Sequence, residues 1–311
     1  MTDPISVASR SSARAGPSPA SHLRAWILAS RPKTLVAALA PVVLACAAAW
    51  RVDAFQILPA SLCLAFAGLI QIATNWANDY YDFCRGADSP ARTGPTRAVA
   101  AGLITPTAMH RAMVIILILA FVVGCGLLPY LGLPGLVLGL VCILCAVGYT
   151  GGPFPLAYHG WGDVFVFIFF GLVAVNVTFM VQAGYFQADV VILALVPGAL
   201  ATNLLVVNHD RDRDNDARAG KQTLVVRFGR RFGHRQYGLL LLIALGVPVT
   251  LWARGWNAWV LLPWLSAPLA LMLYNRLVRA RDAEAFQWVL TGTARLLGQY
   301  SALLALGVLL G

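Results

Sequence analysis

The stretch ILPASLCLAFAGLIQIATNWANDYYD, residues 57–82, begins as an unbroken apolar run and ends in amides and aspartates. Its apolar part, residues 57–78, is long enough to cross about 30 Å of hydrocarbon as a helix that rises about 1.5 Å per residue. Similar runs recur along the whole chain. The sequence therefore predicts an all-α bundle of nine transmembrane helices, whose expected limits are 34–50, 57–78, 107–128, 134–150, 162–183, 188–207, 236–253, 256–274 and 288–310.

The composition of the chain excludes an ordinary soluble domain. Of its 311 residues, 59% are hydrophobic and 12% are charged, and the mean hydropathy is +0.73. Soluble proteins carry about a quarter of their residues as Asp, Glu, Lys and Arg. Gly and Pro inside the apolar runs are compatible with membrane helices, because neighbouring helices satisfy the backbone groups that they free. We therefore expect an integral membrane protein.

The basic residues indicate its orientation. The chain has 23 Lys and Arg against 13 Asp and Glu, a net charge of +10. Nine spans place these bases on the side of the N-terminus, with Arg51 and Arg254 as the exceptions. Because cytoplasmic loops are rich in Lys and Arg, the N-terminus is predicted to be cytoplasmic and the C-terminus to lie outside. Topology thus accounts for the positive charge, and nucleic-acid binding is not expected.

The N-terminal segment differs from the rest. Residues 1–22 are rich in Ser, Ala, Pro and Arg and contain no apolar stretch of the kind found in secretory signals. We expect them to be disordered. No repeat or linker divides the remaining chain, so residues 23–311 are predicted to form a single membrane domain. The six cysteines lie mostly inside predicted helices and are expected to be packing residues.

The first of two acidic clusters lies at the end of the second predicted helix and contains Asp79, Asp82 and Asp88. On a helix that turns about 100° per residue, Asn75, Asp79 and Asp82 share one narrow stripe. Polar side chains at a membrane face can simply balance nearby arginines at the headgroup level. For one cluster alone, that simpler interpretation is favoured.

The second cluster follows the sixth predicted helix, at the same membrane face. Asn208, Asp212 and Asp216 form a similar stripe of one amide and two carboxylates, while Asp210 and Asp214 lie on the other face of the helix. Two such stripes at one face favour a shared functional centre, because ionisable residues at membrane depth are costly and by default indicate function.

Oxygen ligands of this kind suit Mg²⁺, which prefers a few carboxylates together with substrate phosphates. Basic residues follow both clusters, and they are Arg85, Arg92, Arg97, Arg218 and Lys221. Acids and bases together indicate a site for a polyanion bridged by metal. The simplest such polyanion is a diphosphate.

These motifs resemble those of a known family. The run NDYYD at 78–82, continued to Asp88, is similar to the first aspartate-rich motif of the UbiA superfamily of intramembrane prenyltransferases, and Asp212 to Asp216 resembles the second. Nine helices with both motifs in cytoplasmic loops is the arrangement of that superfamily. The segments most similar to its menaquinone branch are RPKTL (31–35), NDYYDFCRGAD (78–88), RTGPTR (92–97) and GKQTLVVRFG (220–229).

The resemblance implies a magnesium-dependent transfer of a polyprenyl group from polyprenyl diphosphate to 1,4-dihydroxy-2-naphthoate, with loss of carbon dioxide, in a bacterial cytoplasmic membrane. Two magnesium ions are expected to bridge the diphosphate, and the tail to lie in an apolar groove open to lipid. The expected catalytic residues are Asp79, Asp82, Asp212, Asp216 and Lys221, of which the four aspartates hold the metal. The residues expected to contact substrate are Asn75, Asn78, Asp88, Arg92, Arg97, Asn208, Arg211, Arg31, Lys33, Tyr149 and Asp163.

Two features depart from the general pattern of the superfamily. Its third acid usually follows the second by four residues, whereas Asp88 follows Asp82 by six, a spacing that the menaquinone branch shares. The loop YTGGPFPLAYHGWGD, residues 149–163, lacks the basic residue that other branches often carry there. A substrate-contact role is therefore carried over to Tyr149 and Asp163 alone, and a tight Gly/Pro turn is an equally good interpretation of this loop.

Three other functions fit parts of the pattern. A cation transporter would also place Asp and Asn in helices, but near the bilayer midplane. A CDP-alcohol phosphotransferase would use aspartates and Mg²⁺ in one compact motif that this sequence does not contain. A 4-hydroxybenzoate prenyltransferase of the same fold would differ only in the acceptor, and this alternative stays open. The candidates for orienting or deprotonating the acceptor are His209, Arg31 and Lys33.

Overall fold

The computed structural model describes residues 19–87, 94 and 96–311, and the regular elements within them are helical. The first half contains α1 (Pro19–Ser30), α2 (Pro32–Trp50), α3 (Ile57–Cys84), α4 (Pro106–Cys125) and α5 (Leu128–Gly148). Next come a 3-10 turn (Leu156–Tyr158), α6 (Gly162–Phe167), a π-helical segment (Ile168–Val173) and α7 (Ala174–Ala183). The second half contains α8 (Ala188–Arg218), α9 (Leu224–Phe228), α10 (Arg230–Ala253), a 3-10 segment (Ala258–Ser266), α11 (Ala267–Arg279) and α12 (Ala283–Leu309).

Within the described part of the chain, 8 helical segments are long and apolar enough to cross a membrane. They are Pro32–Trp50, Ile57–Cys84, Pro106–Cys125, Leu128–Gly148, Gly162–Ala183, Ala188–Arg218, Arg230–Ala253 and Ala258–Arg279. The last helix, α12, has 27 residues but is more polar, because it carries Glu284, Arg295 and Gln299. The predicted all-α membrane bundle is confirmed, while the count of nine spans stays a prediction.

Two helices continue well beyond their predicted spans. The 28 residues of α3 carry Asp79 and Asp82, and the 31 residues of α8 carry the whole second acidic cluster, in each case on uninterrupted helix. At about 1.5 Å per residue, α8 is about 46 Å long, which exceeds the hydrocarbon thickness of about 30 Å. The helix is therefore long enough for its acidic end to project beyond the apolar layer. The start of α5 also differs from prediction, since a bend at Gly132, with φ 60°, lets helix form before Pro134.

The centre of the bundle is α8, which contacts α2, α10, α12 and the π-helical segment. Its Leu193 and Val196 have no exposed surface. A close backbone approach joins Gly171 of the π-helical segment to Gly198, where a Cβ atom on Gly171 would lie 2.7 Å from the carbonyl oxygen of Ala194. Glycine is needed at this crossing because a larger residue would push the two helices apart.

The N-terminal helix α1 packs on α3, where the rings of Trp26 and Trp76 lie 5.0 Å apart. Most of the segment predicted to be disordered, residues 1–22, lies outside the described residues. Its last part is helical, because α1 begins at Pro19. One main apolar core joins α2, α7, α8, α10, α11 and α12, and the single domain 23–311 stays a prediction.

The two ends of the bundle differ in their polar residues. At one end, the guanidinium of Arg51 lies 4.2 Å from the ring centre of Trp256, and Arg254 pairs with Asp189 at 2.5 Å. Gly311 packs beside Asn257 at this same end. Asp79, Asp82 and the aspartates of the second cluster lie at the opposite end, where α3 and α8 finish. The C-terminus and these aspartates therefore lie at opposite ends.

Candidate active site

Asp82, in the last turn of α3, connects three parts of the chain. Its carboxylate is 2% exposed. The Oδ2 atom accepts a hydrogen bond from Arg97 at 3.2 Å, and Oδ1 accepts from the Tyr158 hydroxyl at 2.9 Å. The Lys221 ammonium lies 3.0 Å from the same Oδ1 atom. Asp82 of the first acidic cluster thus contacts Lys221, which lies in the segment just after the second cluster.

Asp216, near the end of α8, belongs to the same group. It lies within electrostatic range of Lys221, His209, Asp212 and Asp82. The turn after α8 is closed by a hydrogen bond from the Lys221 amide to the Asp216 carbonyl oxygen at 2.8 Å. The two acidic clusters therefore meet at one end of the bundle.

The acids on the other face of α8 have different surroundings. Asp210 has no exposed surface and lies 3.3 Å from Arg230 and 2.9 Å from His234, both in α10. The Asp214 side chain is 76% exposed and 3.8 Å from Arg213. Helical periodicity places these two aspartates on a different face from Asp212 and Asp216, because α8 continues without a break.

Asp212 is held by its neighbour in sequence. Arg211 donates two parallel hydrogen bonds to its carboxylate, at 2.8 and 2.7 Å. Both side chains are buried. Asn208 donates to the Leu204 carbonyl oxygen of its own helix at 3.0 Å. In these contacts Arg211 balances the charge of Asp212, and substrate binding by Arg211 and Asn208 stays a prediction.

Asn75 and Asp79, the remaining members of the first stripe, form hydrogen bonds with neighbouring segments. Asp79 accepts hydrogen bonds from the backbone amides of Ala98 at 3.0 Å and Val99 at 3.3 Å. Asn75 donates to the Ser30 carbonyl oxygen at 2.9 Å, at the junction of α1 and α2. Both side chains thus have a positional role in the fold. Metal binding by Asp79 and substrate contact by Asn75 stay predictions.

The other predicted contacts vary in their surroundings. Asn78 accepts a hydrogen bond from the Thr150 hydroxyl at 2.8 Å. Arg31 precedes α2 in a left-handed conformation with φ 47°, and Lys33 is exposed. Asp88 and Arg92 lie outside the described residues.

Tyr149 and Asp163, at the two ends of one loop, belong to a buried network. Asp163 accepts from Gln236 at 3.0 Å and lies 3.5 Å from His209 Nδ1. Burial raises the pKa of the Tyr149 phenol, and the carboxylates of Asp163, Asp82 and Asp216 raise it further. The Tyr149 hydroxyl therefore stays protonated and can donate a hydrogen bond.

An apolar cavity of about 280 Å³ adjoins this group and is lined by α2, α3, α4, α5 and the π-helical segment. Aromatic rings of Phe66, Phe169 and Phe170 form part of its wall. Its polar lining residues include Gln71, Thr74, Asn75, Asn78 and Tyr149. The cavity therefore combines a long apolar surface with a polar stripe of α3 that leads towards Asp82.

Sequence reasoning misses two residues of this region. Tyr158 lies within the loop 149–163, but its contact with Asp82 joins segments far apart in the chain, and no spacing rule reports it. Gln71 continues the stripe of Asn75 one turn deeper into the cavity. Extending the stripe of Asn75, Asp79 and Asp82 by one helical turn towards the N-terminus reaches Gln71.

The ability of the aspartates in this site to hold a metal ion depends on the oxygen atoms that they offer and on the partners of those atoms. Among the described residues, no set of three or more His, Cys, Asp or Glu side chains is arranged to hold a metal ion. Instead, Asp82 and Asp212 are paired with Lys221, Arg97 and Arg211. Mg²⁺ needs only one or two carboxylates when substrate phosphates supply further oxygens. The carboxylates thus fit a metal that arrives with a diphosphate.

Comparisons with known proteins identify relatives of this chain. The profile of the UbiA prenyltransferase family matches residues 38–296. The chain is 35% identical to the 1,4-dihydroxy-2-naphthoate octaprenyltransferase of Escherichia coli over 93% of this chain and 96% of that protein. It is 40% identical to the enzyme of the same name from Mycobacterium tuberculosis, over 79% and 83% of the two chains.

Solved structures show the same fold at lower identity. A UbiA homologue from Aeropyrum pernix superposes with a TM-score of 0.65 and 15% identity, over 85% of this chain and 96% of that one. A UbiA homologue from Archaeoglobus fulgidus, solved with DMAPP and Mg²⁺, superposes with a TM-score of 0.62 and 14% identity, over 90% and 98% of the two chains.

Proposed function

The chain belongs to the UbiA prenyltransferase family, and from this premise we propose that it transfers a polyprenyl group from polyprenyl diphosphate to 1,4-dihydroxy-2-naphthoate. The products are the quinol form of demethylmenaquinone, carbon dioxide and diphosphate, which makes the reaction a step of menaquinone biosynthesis. The observation that carries this proposal is the meeting of Asp82, Asp216 and Lys221 beside an apolar cavity. The names of the relatives support the choice of acceptor.

The bond changes account for the residue types. The C–O bond between the prenyl group and the diphosphate breaks, and the allylic carbon accepts an electron pair from the naphthoate ring. The bond from the ring to the carboxylate then breaks, so that its electron pair returns to the ring and carbon dioxide leaves. Negative charge grows on the departing diphosphate, and preplaced cations lower the barrier to this step.

Magnesium is the proposed cofactor, of which two ions would bind together with the diphosphate. The residues proposed to hold it are Asp79, Asp82, Asp212 and Asp216. Bound Mg²⁺ supplies positive charge that neutralises the leaving group. The binding of DMAPP and Mg²⁺ by the Archaeoglobus homologue supports this assignment. The protein adds the ammonium of Lys221 and the guanidinium of Arg97, which already lie beside Asp82.

The cavity suits both organic parts of the reaction. A polyprenyl tail needs apolar surface and no hydrogen bonds, which the lining of α4 and α5 offers. The acceptor carries hydroxyl groups, which match the polar stripe containing Asn78 and the Tyr149 hydroxyl across from it. Exclusion of water from this space protects the allylic carbon from hydrolysis. Asp163, which contacts His209 and Gln236, lies within electrostatic range of Tyr149.

The proposed location is the cytoplasmic membrane of a bacterium, with the acidic end of the bundle towards the cytoplasm. The concentration of Lys and Arg near that end supports the orientation. Cysteine labelling of intact cells tests it: residues 220–229 are expected to be protected from an impermeant reagent, and Gly311 to be labelled after substitution by Cys. Labelling in the reverse pattern would contradict the orientation.

The reaction itself is tested with purified protein in lipid nanodiscs, supplied with polyprenyl diphosphates and either aromatic acid. We expect a prenylated naphthoquinol and labelled carbon dioxide from carboxyl-labelled 1,4-dihydroxy-2-naphthoate. A chelator is expected to stop turnover and added Mg²⁺ to restore it. Prenylation of 4-hydroxybenzoate with its carboxylate retained, and none of the naphthoate, would contradict the proposed acceptor.

A further inference from the structure

Tyr158 lies in the 3-10 turn between α5 and α6 and is 9% exposed. Its carbonyl oxygen accepts a hydrogen bond from the Gln222 amide at 2.8 Å. Earlier in the same connection, the Gly152 carbonyl oxygen accepts from Arg85 at 2.6 Å. The connection is therefore fastened to the end of α3 on one side and to the segment after α8 on the other.

The Tyr158 side chain occupies the junction between these two segments. Its hydroxyl donates to Asp82 Oδ1 at 2.9 Å, and the Lys221 ammonium lies 3.0 Å from the same oxygen. The Lys221 ammonium is also 4.8 Å from the centre of the Tyr158 ring, and the Arg85 guanidinium is 5.0 Å from it. Carboxylate, phenol and ammonium thus form a closed triangle of contacts.

The two sides of this triangle that Tyr158 makes have separate physical causes. A hydroxyl that donates to an ionised carboxylate makes a shorter and stronger hydrogen bond than a neutral pair does. The face of an aromatic ring attracts a cation, whether or not the ring carries a hydroxyl group. The hydroxyl of Tyr158 therefore restricts rotation of the Asp82 carboxylate, and its ring restricts the position of Lys221.

We propose that Tyr158 is a positioning residue of the active site, which aligns the Asp82 carboxylate through its hydroxyl and the Lys221 ammonium through its ring. This inference rests on the proposed function, which assigns metal to Asp82 and diphosphate to Lys221. Groups that are held in place before the ligand arrives lose less freedom on binding. Tyr158 therefore acts on affinity for the metal and diphosphate through its two neighbours, without contacting the reacting carbon.

Three substitutions separate the two contacts. Tyr158→Phe removes the hydroxyl and keeps the ring, so we expect Mn²⁺ binding in the presence of inorganic diphosphate to weaken about tenfold. Tyr158→Leu removes both contacts and is expected to weaken affinity for diphosphate as well. Tyr158→His keeps a hydrogen-bond donor on a smaller ring, and its Mn²⁺ affinity is expected to fall between those of the original protein and the Phe variant. Electron paramagnetic resonance of Mn²⁺ gives the affinities.

The matched control is Tyr300→Phe, at a buried tyrosine whose hydroxyl donates to the Ala244 carbonyl oxygen at 2.6 Å, away from the acidic clusters. It loses the same group, so it reports the cost of a buried hydroxyl for folding, and its Mn²⁺ affinity is expected to match that of the original protein. Unchanged Mn²⁺ affinity in folded Tyr158→Phe protein, or equal affinities in the His and Phe variants, would overturn the positioning role.

The same measurements distinguish this inference from the proposed function. If the original protein binds Mn²⁺ with diphosphate but prenylates neither aromatic acid, the proposed reaction fails and the affinity test of Tyr158 still decides its role. If the naphthoate is prenylated and Tyr158→Phe binds Mn²⁺ normally, the reaction stands and the positioning role fails. Absence of Mn²⁺ binding by the original protein would overturn both.

Discussion

The last turns of α8 carry aspartates on two opposite faces, and the surroundings of the two faces differ. On one face, Asp210 is completely buried and contacts Arg230 and His234 of α10. On the other face, Asp216 lies near Asp212 and Asp82 as well as near Lys221. The first arrangement pairs one carboxylate with an arginine and a histidine of a single neighbouring helix. The second brings carboxylates together, an arrangement whose repulsion a bound cation relieves.

The difference teaches that burial alone does not identify a functional acid. Asp210 is more buried than Asp212, at 0% against 7% exposure. Its partners all come from α10, and they explain its burial as a link between two helices. The partners of Asp82 and Asp216 come from α3, from the loop before α6 and from the turn after α8. Convergence of separate segments on several like charges marks the candidate active site.

The largest expected effect is on turnover, from Asp216→Asn and Asp82→Asn. Each substitution removes a carboxylate charge at nearly constant shape, so we expect prenyl transfer to fall about a hundredfold or more. Assays of purified protein, normalised to folded material from size-exclusion chromatography, give the rate. Turnover within a few-fold of the original protein would remove these residues from the site and make the two faces of α8 equivalent.

The second expected effect is on stability, from Asp210→Asn. This change leaves Arg230 and His234 beside a neutral amide in a buried place, and loss of one partner of a buried pair costs about 3 kcal/mol. Thermal unfolding in detergent measures the loss. Turnover per folded molecule is expected to change little, because Asp210 faces away from Lys221. A large loss of turnover with normal stability would show that this face also takes part in catalysis.

The contrast between the faces follows from the sequence, whereas several contacts within the site do not. Helical periodicity fixes the angle between Asp210 and Asp212 as soon as α8 is continuous, so one sequence suffices to separate them. The contacts of Asp79 with the amides of Ala98 and Val99 involve a non-helical segment, for which no periodicity exists. Tyr158 reaches Asp82 across 76 positions of the chain. Such pairs depend on the packing of whole helices.

The predicted limits of α3, α5 and α8 differ from the observed ones for physical reasons. Apolar length predicts where a helix can cross the membrane, but α3 and α8 continue into polar sequence, because their hydrogen bonds do not depend on burial. In α5, Gly132 and Pro134 favour a break, and the chain bends there without ending the helical segment. The function was predictable because it depends on motifs, and the exact span count was not, because α12 is too polar to decide by composition.

The smallest expected effect, from Asp214→Asn, tests whether position on the helix matters more than membership of the acidic cluster. Asp214 lies between Asp212 and Asp216 in sequence, but its side chain is 76% exposed and its nearest cation, on Arg213, is 3.8 Å away. An exposed ion pair of this kind contributes little, and exposed substitutions usually change stability by about 0.5 kcal/mol or less. We therefore expect both the unfolding temperature and turnover of Asp214→Asn to match the original protein, measured side by side with Asp216→Asn in the same membranes. Loss of activity in both variants would mean that the net negative charge of the segment drives catalysis. Loss in Asp216→Asn alone requires a site built by geometry, because the two substitutions remove the same charge from positions two residues apart on one helix.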